Sequence, residues 1–227
     1  MKVMAFNGSP RKKKWNTVSL LDSALQGAQS TGAETELIQL YELKFSGCIS
    51  CFSCKRLGRK KDGVCSVQDD LTPLLDRVKE ADALIIGTPV YYGAESAAMR
   101  AFLERLCFPY LKYSKEGRSL FPRRINTAMI YTMNAPAQML PQIGYDRMFA
   151  MAQMMLQFHF GACELLLSTD TLQYIDYDKY EAEIFDKDAK LERHTKVFPD
   201  DCRRAFELGV RLASGEIPDP KPMPWHE

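Results

Sequence analysis

The sequence predicts a doubly wound α/β fold, a five-stranded parallel sheet with helices on both faces and a C-terminal extension. Two observations predict it. Apolar runs of strand length alternate with segments whose apolar residues recur every three or four positions. One run, Ala83-Leu-Ile-Ile-Gly87, is apolar throughout, as a strand covered on both faces should be. Right-handed crossovers then leave few topologies. In such a sheet ligands bind beyond the carboxyl ends of the strands, at the switch point.

Residues 2–8 read as the first strand. Residues 16–31 read as a helix with Val18, Leu21, Leu25 and Ala28 on one stripe, and Gly32 supplies its stop. Residues 34–40 read as the second strand. After a cysteine-rich loop, Leu71, Leu74, Leu75 and Val78 form another helical stripe, preceded by Asp69 and Asp70 where the helix macrodipole favours acids. The apolar run 83–87 is the third strand and 88–93 a loop. Residues 95–107 read as a helix with Ala98, Phe102 and Leu106 inward. Residues 109–124 form an irregular connection, 126–131 the fourth strand and 132–136 a loop. Residues 142–158 read as a Met-rich helix and 162–167 as the fifth strand. A further helix is expected over 200–213, before a proline-rich tail, PDPKPMPWHE, expected to run extended over the surface.

The length of 227 residues suits one domain with extensions. Thirty basic and 29 acidic side chains leave a net charge of +1, which gives no general attraction to nucleic acid or anionic lipid. No apolar run is long enough to span a bilayer. The opening MKVMAFNG has no charged region ahead of a long apolar core, so a cytoplasmic location is expected. Seven cysteines, an odd number, read as thiols or ligands rather than a disulfide framework.

Three loops follow strands 1, 3 and 4. The first, residues 8–17, opens a helix whose free N–H groups suit a phosphate. Ser9 and Thr17 offer hydroxyls, Asn16 an amide, and Arg11 and Lys12 charge, whereas Lys13 and Lys14 read as solvated. The P-loop pattern G-x-x-x-x-G-K-[ST] and the dinucleotide pattern G-x-G-x-x-G are both absent, and Glu42 reads as a surface residue. The second loop, Pro89-Val-Tyr-Tyr-Gly93, and the third, Thr132-Met-Asn-Ala-Pro136, are each either ordinary turns or walls for a flat ring. Their joint placement at three strand ends favours the site.

FNGSPRKKKWNT, the cysteine run ending in CSVQDDL, and ADALIIGTPVYYGAESAAMRAFLER together resemble the NADPH-dependent FMN reductase family. Within it they are most similar to the iron–sulfur flavoprotein branch of flavodoxin-like proteins. The resemblance covers roughly the first 135 residues. It implies residues 1–168 as a flavodoxin-like FMN-binding domain, with 169–227 packed on that domain or on a partner subunit. It places Ser9, Arg11, Asn16 and Thr17 on the FMN phosphate. Pro89, Val90, Tyr91, Tyr92 and Gly93 would line the isoalloxazine, and Thr132, Met133 and Asn134 would close its other side. The flavin would carry the chemistry, so no catalytic side chain is named and His159, His194 and His226 are not candidates.

Cys48, Cys51 and Cys54 form a C-x-x-C-x-x-C run, and Cys65 follows after KRLGRKKDGV. The resemblance implies a 4Fe-4S cluster on these four thiols, although the spacing to Cys65 is longer than in the relatives. Free thiols and a closed zinc site stay open beside it. Cys107, Cys163 and Cys202 read as small apolar residues. The expected function is transfer of electrons from NAD(P)H through FMN, with or without the cluster, to a small-molecule or protein acceptor, in a homodimer or higher homo-oligomer. The rival readings are a non-enzymatic electron-transfer protein and a redox or metal sensor built on the cysteine loop.

Overall fold

The structure is a computed structural model that describes residues 1–13, 15–59, 62–115 and 119–216. Lys14, the proline-rich tail and His226 therefore lie outside the described residues.

Five parallel strands form the sheet: β1 (Lys2–Asn7), β2 (Glu34–Gln39), β3 (Ala83–Tyr91), β5 (Asn126–Thr132) and β6 (Cys163–Ser168), in the order β2-β1-β3-β5-β6. The two-residue β4 (Ala94–Glu95) pairs antiparallel with the end of β3. With β4 set aside, this is the flavodoxin-like order, and it turns back between β1 and β3.

Alternation along the strands sends successive side chains to opposite faces. Val3, Ala5, Ala83, Ile85, Ala128 and Ile130 pack under α1 (Asn16–Ser30) and α6 (Phe198–Ser214). Met4, Phe6, Leu84, Ile86, Met129 and Tyr131 pack under α2 (Thr72–Val78), α3 (Ala97–Cys107) and α4 (Tyr145–Phe160). The stripe Val18, Leu21, Leu25 and Ala28 is buried as expected, and α1 ends before Gly32, whose φ is +87°. α6 lies so close to α1 that a Cβ on Gly209 would sit 1.8 Å from the Ala24 carbonyl oxygen, and one on Gly27 would sit 2.0 Å from that of Phe206.

Three local expectations change. Residues 88–91 belong to β3, which runs past the parallel ladder into a two-residue hairpin. Tyr92 and Gly93 carry it with φ of +49° and +77°, the two positive angles a tight right-twisted hairpin needs. Glu95 falls in that hairpin, and α3 starts after Ser96, whose hydroxyl caps the Met99 N–H. Ala98, Phe102 and Leu106 face inward on α3 as expected, Ala98 half-buried against the core, and Met99 is fully buried beside them. A helix not anticipated, α5 (Lys187–Lys196), is capped by Asp186 and buries one side chain, Lys190. Its polar sequence has no apolar stripe to announce it. No helix among the described residues is long and apolar enough to cross a membrane.

His159 on α4 is buried, with Nδ1 3.3 Å from the Ser119 hydroxyl. Burial, aided by the Lys55 charge, lowers its pKa to about 4 from the ordinary 6.5. The unfolded chain therefore binds the extra proton first as pH falls. Below pH 6.5 the buried imidazole costs the fold stability, a loss that grows to about 3 kcal/mol as pH falls past 4. Urea midpoints at pH 7.5 and 4.5 are expected to differ less in His159→Gln than in the wild type. An equal pH dependence in both proteins would refute this.

Candidate cofactor cleft and cysteine cavity

The loops after β1, β3, β5 and β6 converge on one cleft. Ser9, Arg11, Asn16, Thr17, Pro89, Val90, Tyr91, Thr132, Met133 and Asn134 all line it. Tyr92 and Gly93 do not. They form the hairpin turn beyond it, with the Tyr92 ring fully exposed.

The first loop and the start of α1 suit an anion. Asn7 Oδ1 accepts the Ser9 N–H (2.9 Å), and Ser9 Oγ accepts the Arg11 N–H (3.2 Å), which curls the loop back over β1. Trp15 caps α1 without any side-chain hydrogen bond, so among the described residues the first N–H groups of this 15-residue helix have no side-chain capping partner. A helix start of that kind favours negative charge. The Arg11 guanidinium lies over the Trp15 ring, 4.0 Å from its centroid. The hydroxyls of Thr17 and Thr132 meet at 2.7 Å and join the first loop to the third.

The end of β3 adds an apolar wall and a ring. Pro89 is buried, Val90 is half-buried, and Tyr91 is half in solvent. Burial raises the Tyr91 phenol above its ordinary pKa, with Arg11 acting in the opposite sense. The enclosed volume is about 150 Å³, below the ~300 Å³ at which pockets for drug-sized ligands begin. One chain therefore encloses only part of a long ligand.

A fourth wall comes from residues 171–173, which carried no motif. Arg11 Nη1 donates to the Gln173 carbonyl (2.7 Å) and Asn16 Nδ2 to that of Leu172 (2.8 Å). Asn134 Nδ2 donates to Gln173 Oε1 (2.7 Å), and the Thr171 N–H to the Met133 carbonyl (2.9 Å). Trp15 also lines the cleft and was not singled out from the sequence.

The four cysteines meet in a second cavity. Cys48, Cys51, Cys54 and Cys65 line it with Ile49, Phe52, Phe108 and Arg105. Ser50 and Phe52 both hold φ of +53°, winding the run tightly. Cys65 returns despite the longer spacing, with one contact at the end of the insert and a second on the segments that flank the cysteines. Gly63, at φ +66°, lies so flat on Tyr110 that a Cβ would come within 2.3 Å of the ring. Arg105, its side chain wholly buried, grips both oxygens of Asp69 (2.8 and 3.2 Å) and the carbonyls of Ser46 (3.0 Å) and Val67 (3.2 Å). One side chain thus clamps the loop before Cys48 and after Cys65. Sequence reasoning missed it, since an arginine on a helix carries no such signal.

Burial pushes the Asp69 carboxyl up, but the hydrogen bonds and charge of Arg105, with two backbone N–H groups, outweigh it and hold the pKa below the ordinary range. Lys55 donates to the carbonyls of Phe108 and Leu111, fastening the run to the end of α3. The exposed Cys51 thiol is lowered to about 7 by hydrogen bonds from Ser66 and Ser53. Burial drives Cys54 up. Among the described residues, no three His, Cys, Asp or Glu side chains are gathered closely enough to hold one metal ion. Cys107 and Cys163 are buried in the core, and Cys202 is half-buried.

Comparison with known proteins follows the same lines. An iron-sulfur flavoprotein of Methanocaldococcus jannaschii is 39% identical over 105 residues, 46% of this chain and 51% of its own length. That of Methanosarcina thermophila is 30% identical over 105 residues, 46% and 52% of the two chains. The match thus spans about half the length of these curated relatives. Among solved structures, an NAD(P)H:quinone oxidoreductase from Methanothermobacter marburgensis superposes with a TM-score of 0.68 at 16% identity, covering 93% of this chain and 98% of that one. An FMN-dependent NADH-azoreductase from Bacillus anthracis, solved in complex with FMN, superposes with a TM-score of 0.66 at 13% identity, covering 94% and 100%. These two share the fold. The profile of the NADPH-dependent FMN reductases matches residues 1–153, two-thirds of the sequence, and the chain belongs to that family.

Proposed function

We propose that the chain binds FMN in the strand-end cleft and uses it to pass electrons from NAD(P)H to an acceptor. The observation that carries this reading is the polarity of the cleft. The first loop brings the start of α1 with Arg11, Ser9, Asn16 and Thr17, and the end of β3 brings the apolar Pro89–Val90 wall with Tyr91. A dianionic phosphate suits the first and a flat ring the second. Bound FMN would supply the hydride and electron chemistry. The protein's own residues would anchor the phosphate, orient the ring between the second and third loops, and limit water access from the side of residues 171–173.

On this reading residues 1–168 carry the FMN-binding domain. The segment after it serves the same unit, since residues 171–173 close the cleft and α6 covers α1. A second copy of the chain would complete the partly open cleft, and light scattering reads the resulting oligomer.

Cys48, Cys51, Cys54 and Cys65 would hold a 4Fe-4S cluster. The donor set fits: four thiols round one cavity, an apolar rim, and the buried Arg105 guanidinium beside Cys65. Such clusters are held by cysteine thiolates, usually four, and would supply one-electron transfer beside the flavin. Arg105 would offset the negative charge of such a group. Where the thiols hold nothing, the exposed Cys51 favours thiol chemistry in the same loop.

The test is an absorption spectrum of protein purified without oxygen, with iron and sulfide assays, on the wild type and on Cys48→Ser/Cys51→Ser. Flavin bands in both proteins, with iron and sulfide lost from the double variant, are expected. Absence of flavin from the wild type, with no uptake on reconstitution, would sink the FMN reading. Flavin without iron or sulfide would sink the cluster alone.

A further inference from the structure

We infer that Lys190 is a positioning residue for the cofactor cleft, holding the fourth wall and, through it, Arg11. The inference rests on the FMN reading above.

Lys190 is the residue that α5 buries, at 6% exposure on an otherwise polar helix. An amine is taken out of water only where its partners compensate. An apolar side chain would anchor the helix with less desolvation. The partners of this amine all belong to the cleft's loops. Its Nζ donates to the Asn134 carbonyl (3.2 Å), to Asn134 Oδ1 and to Asp170 Oδ1. The Phe185 ring covers it at 5.4 Å.

The chemistry of the amine sets the direction of the network. Lysine has donors only, so Asn134 must turn its amide oxygen toward Nζ. Its NH₂ then points the other way and donates to Gln173 Oε1 at 2.7 Å. The carbonyl of that same Gln173 accepts from Arg11 Nη1 at 2.7 Å. Asp170 holds a left-handed backbone, φ +53°, an uncommon conformation that its contact with Lys190 helps maintain. Its N–H donates to the Ala135 carbonyl at 3.0 Å, stitching the start of the wall to the third loop. A continuous polar line thus runs from α5 through Asn134 and Gln173 to Arg11. Lys190 need not touch the cofactor to set where Arg11 stands.

The test uses the full chain freed of flavin, titrated with FMN and with riboflavin, which lacks the phosphate. Flavin fluorescence reads binding, and thermal melting of the flavin-free proteins reads folding. Lys190→Met keeps the apolar stem and removes the charge. Its FMN Kd is expected to rise more than fivefold, with a smaller rise for riboflavin, so that the preference for FMN shrinks. A rise of fivefold or less overturns the inference. So does an equal loss for both ligands, which would mark a general loosening of the fold. If Lys190→Met does not fold, Asp170→Asn carries the same reading with the threshold set at twofold. A wild-type chain that takes up neither flavin refutes the FMN reading, and this inference with it. A wild type that binds FMN beside a variant that binds equally well refutes the role of Lys190 alone.

Discussion

Arg11→Met is expected to weaken FMN binding by ~10- to 100-fold while changing riboflavin binding little. The range follows from the ~1.5–3 kcal/mol typical of a hydrogen bond to a charged group. Arg11 is the charged side chain among the residues that line the cleft, and it stands beside the start of α1. Two contacts pre-set its guanidinium, the Trp15 ring and the Gln173 carbonyl, so little side-chain entropy is lost when a phosphate arrives. Arg11→Lys keeps the charge but not the planar fork, and is expected to recover only part of the loss. Titration of both flavins into both variants checks this. An equal loss for FMN and riboflavin would mean that Arg11 shapes the cleft without meeting the phosphate.

Gly209→Ala is expected to destabilise the fold by more than ~3 kcal/mol, a large share of the 5–15 kcal/mol typical of a domain. The added Cβ would meet the Ala24 carbonyl oxygen at 1.8 Å, and that obstacle is backbone, which no rotamer change relieves. α6 would have to lift off α1, uncovering Ala205, Leu208 and Leu212. Gly215→Asn is the control. It changes a glycine at φ +77° with open space around it, where Asn tolerates the left-handed backbone, and a loss under ~1 kcal/mol is expected. Urea denaturation of the two variants separates close packing from backbone freedom. Similar small losses in both would show that α6 can shift without penalty.

Much of the architecture is written in local pattern. The run 83–87 reads as a covered strand, and Val18, Leu21, Leu25 and Ala28 read as a buried stripe, because each reports only its own period against the core. The strand-end loops follow from the topology. Ten of the twelve residues assigned to the cofactor line one cleft, and all four cysteines of the loop line one cavity. Boundaries at 88–95 were hidden, since Pro89 argues against a strand and Tyr92 is an unusual residue at a positive φ. α5 was hidden because a helix that buries a lysine has no apolar stripe.

The strand periods, the apolar faces and the loops that carry the cleft residues are thus legible in short-range composition, whereas the strand order β2-β1-β3-β5-β6 is decided by packing. The three-dimensional fold alone decides what holds those residues in place. Arg11 meets a carbonyl 162 positions away, Asn16 one 156 away, and Arg105 closes a loop between residues 46 and 69. Such pairs join a polar side chain to a backbone carbonyl or a distant carboxylate. Any residue type offers that carbonyl, so the sequence carries no mark of which one will be used. Periodicity reports burial, which each residue expresses by itself, whereas a hydrogen bond belongs to two positions that only packing brings within 3 Å.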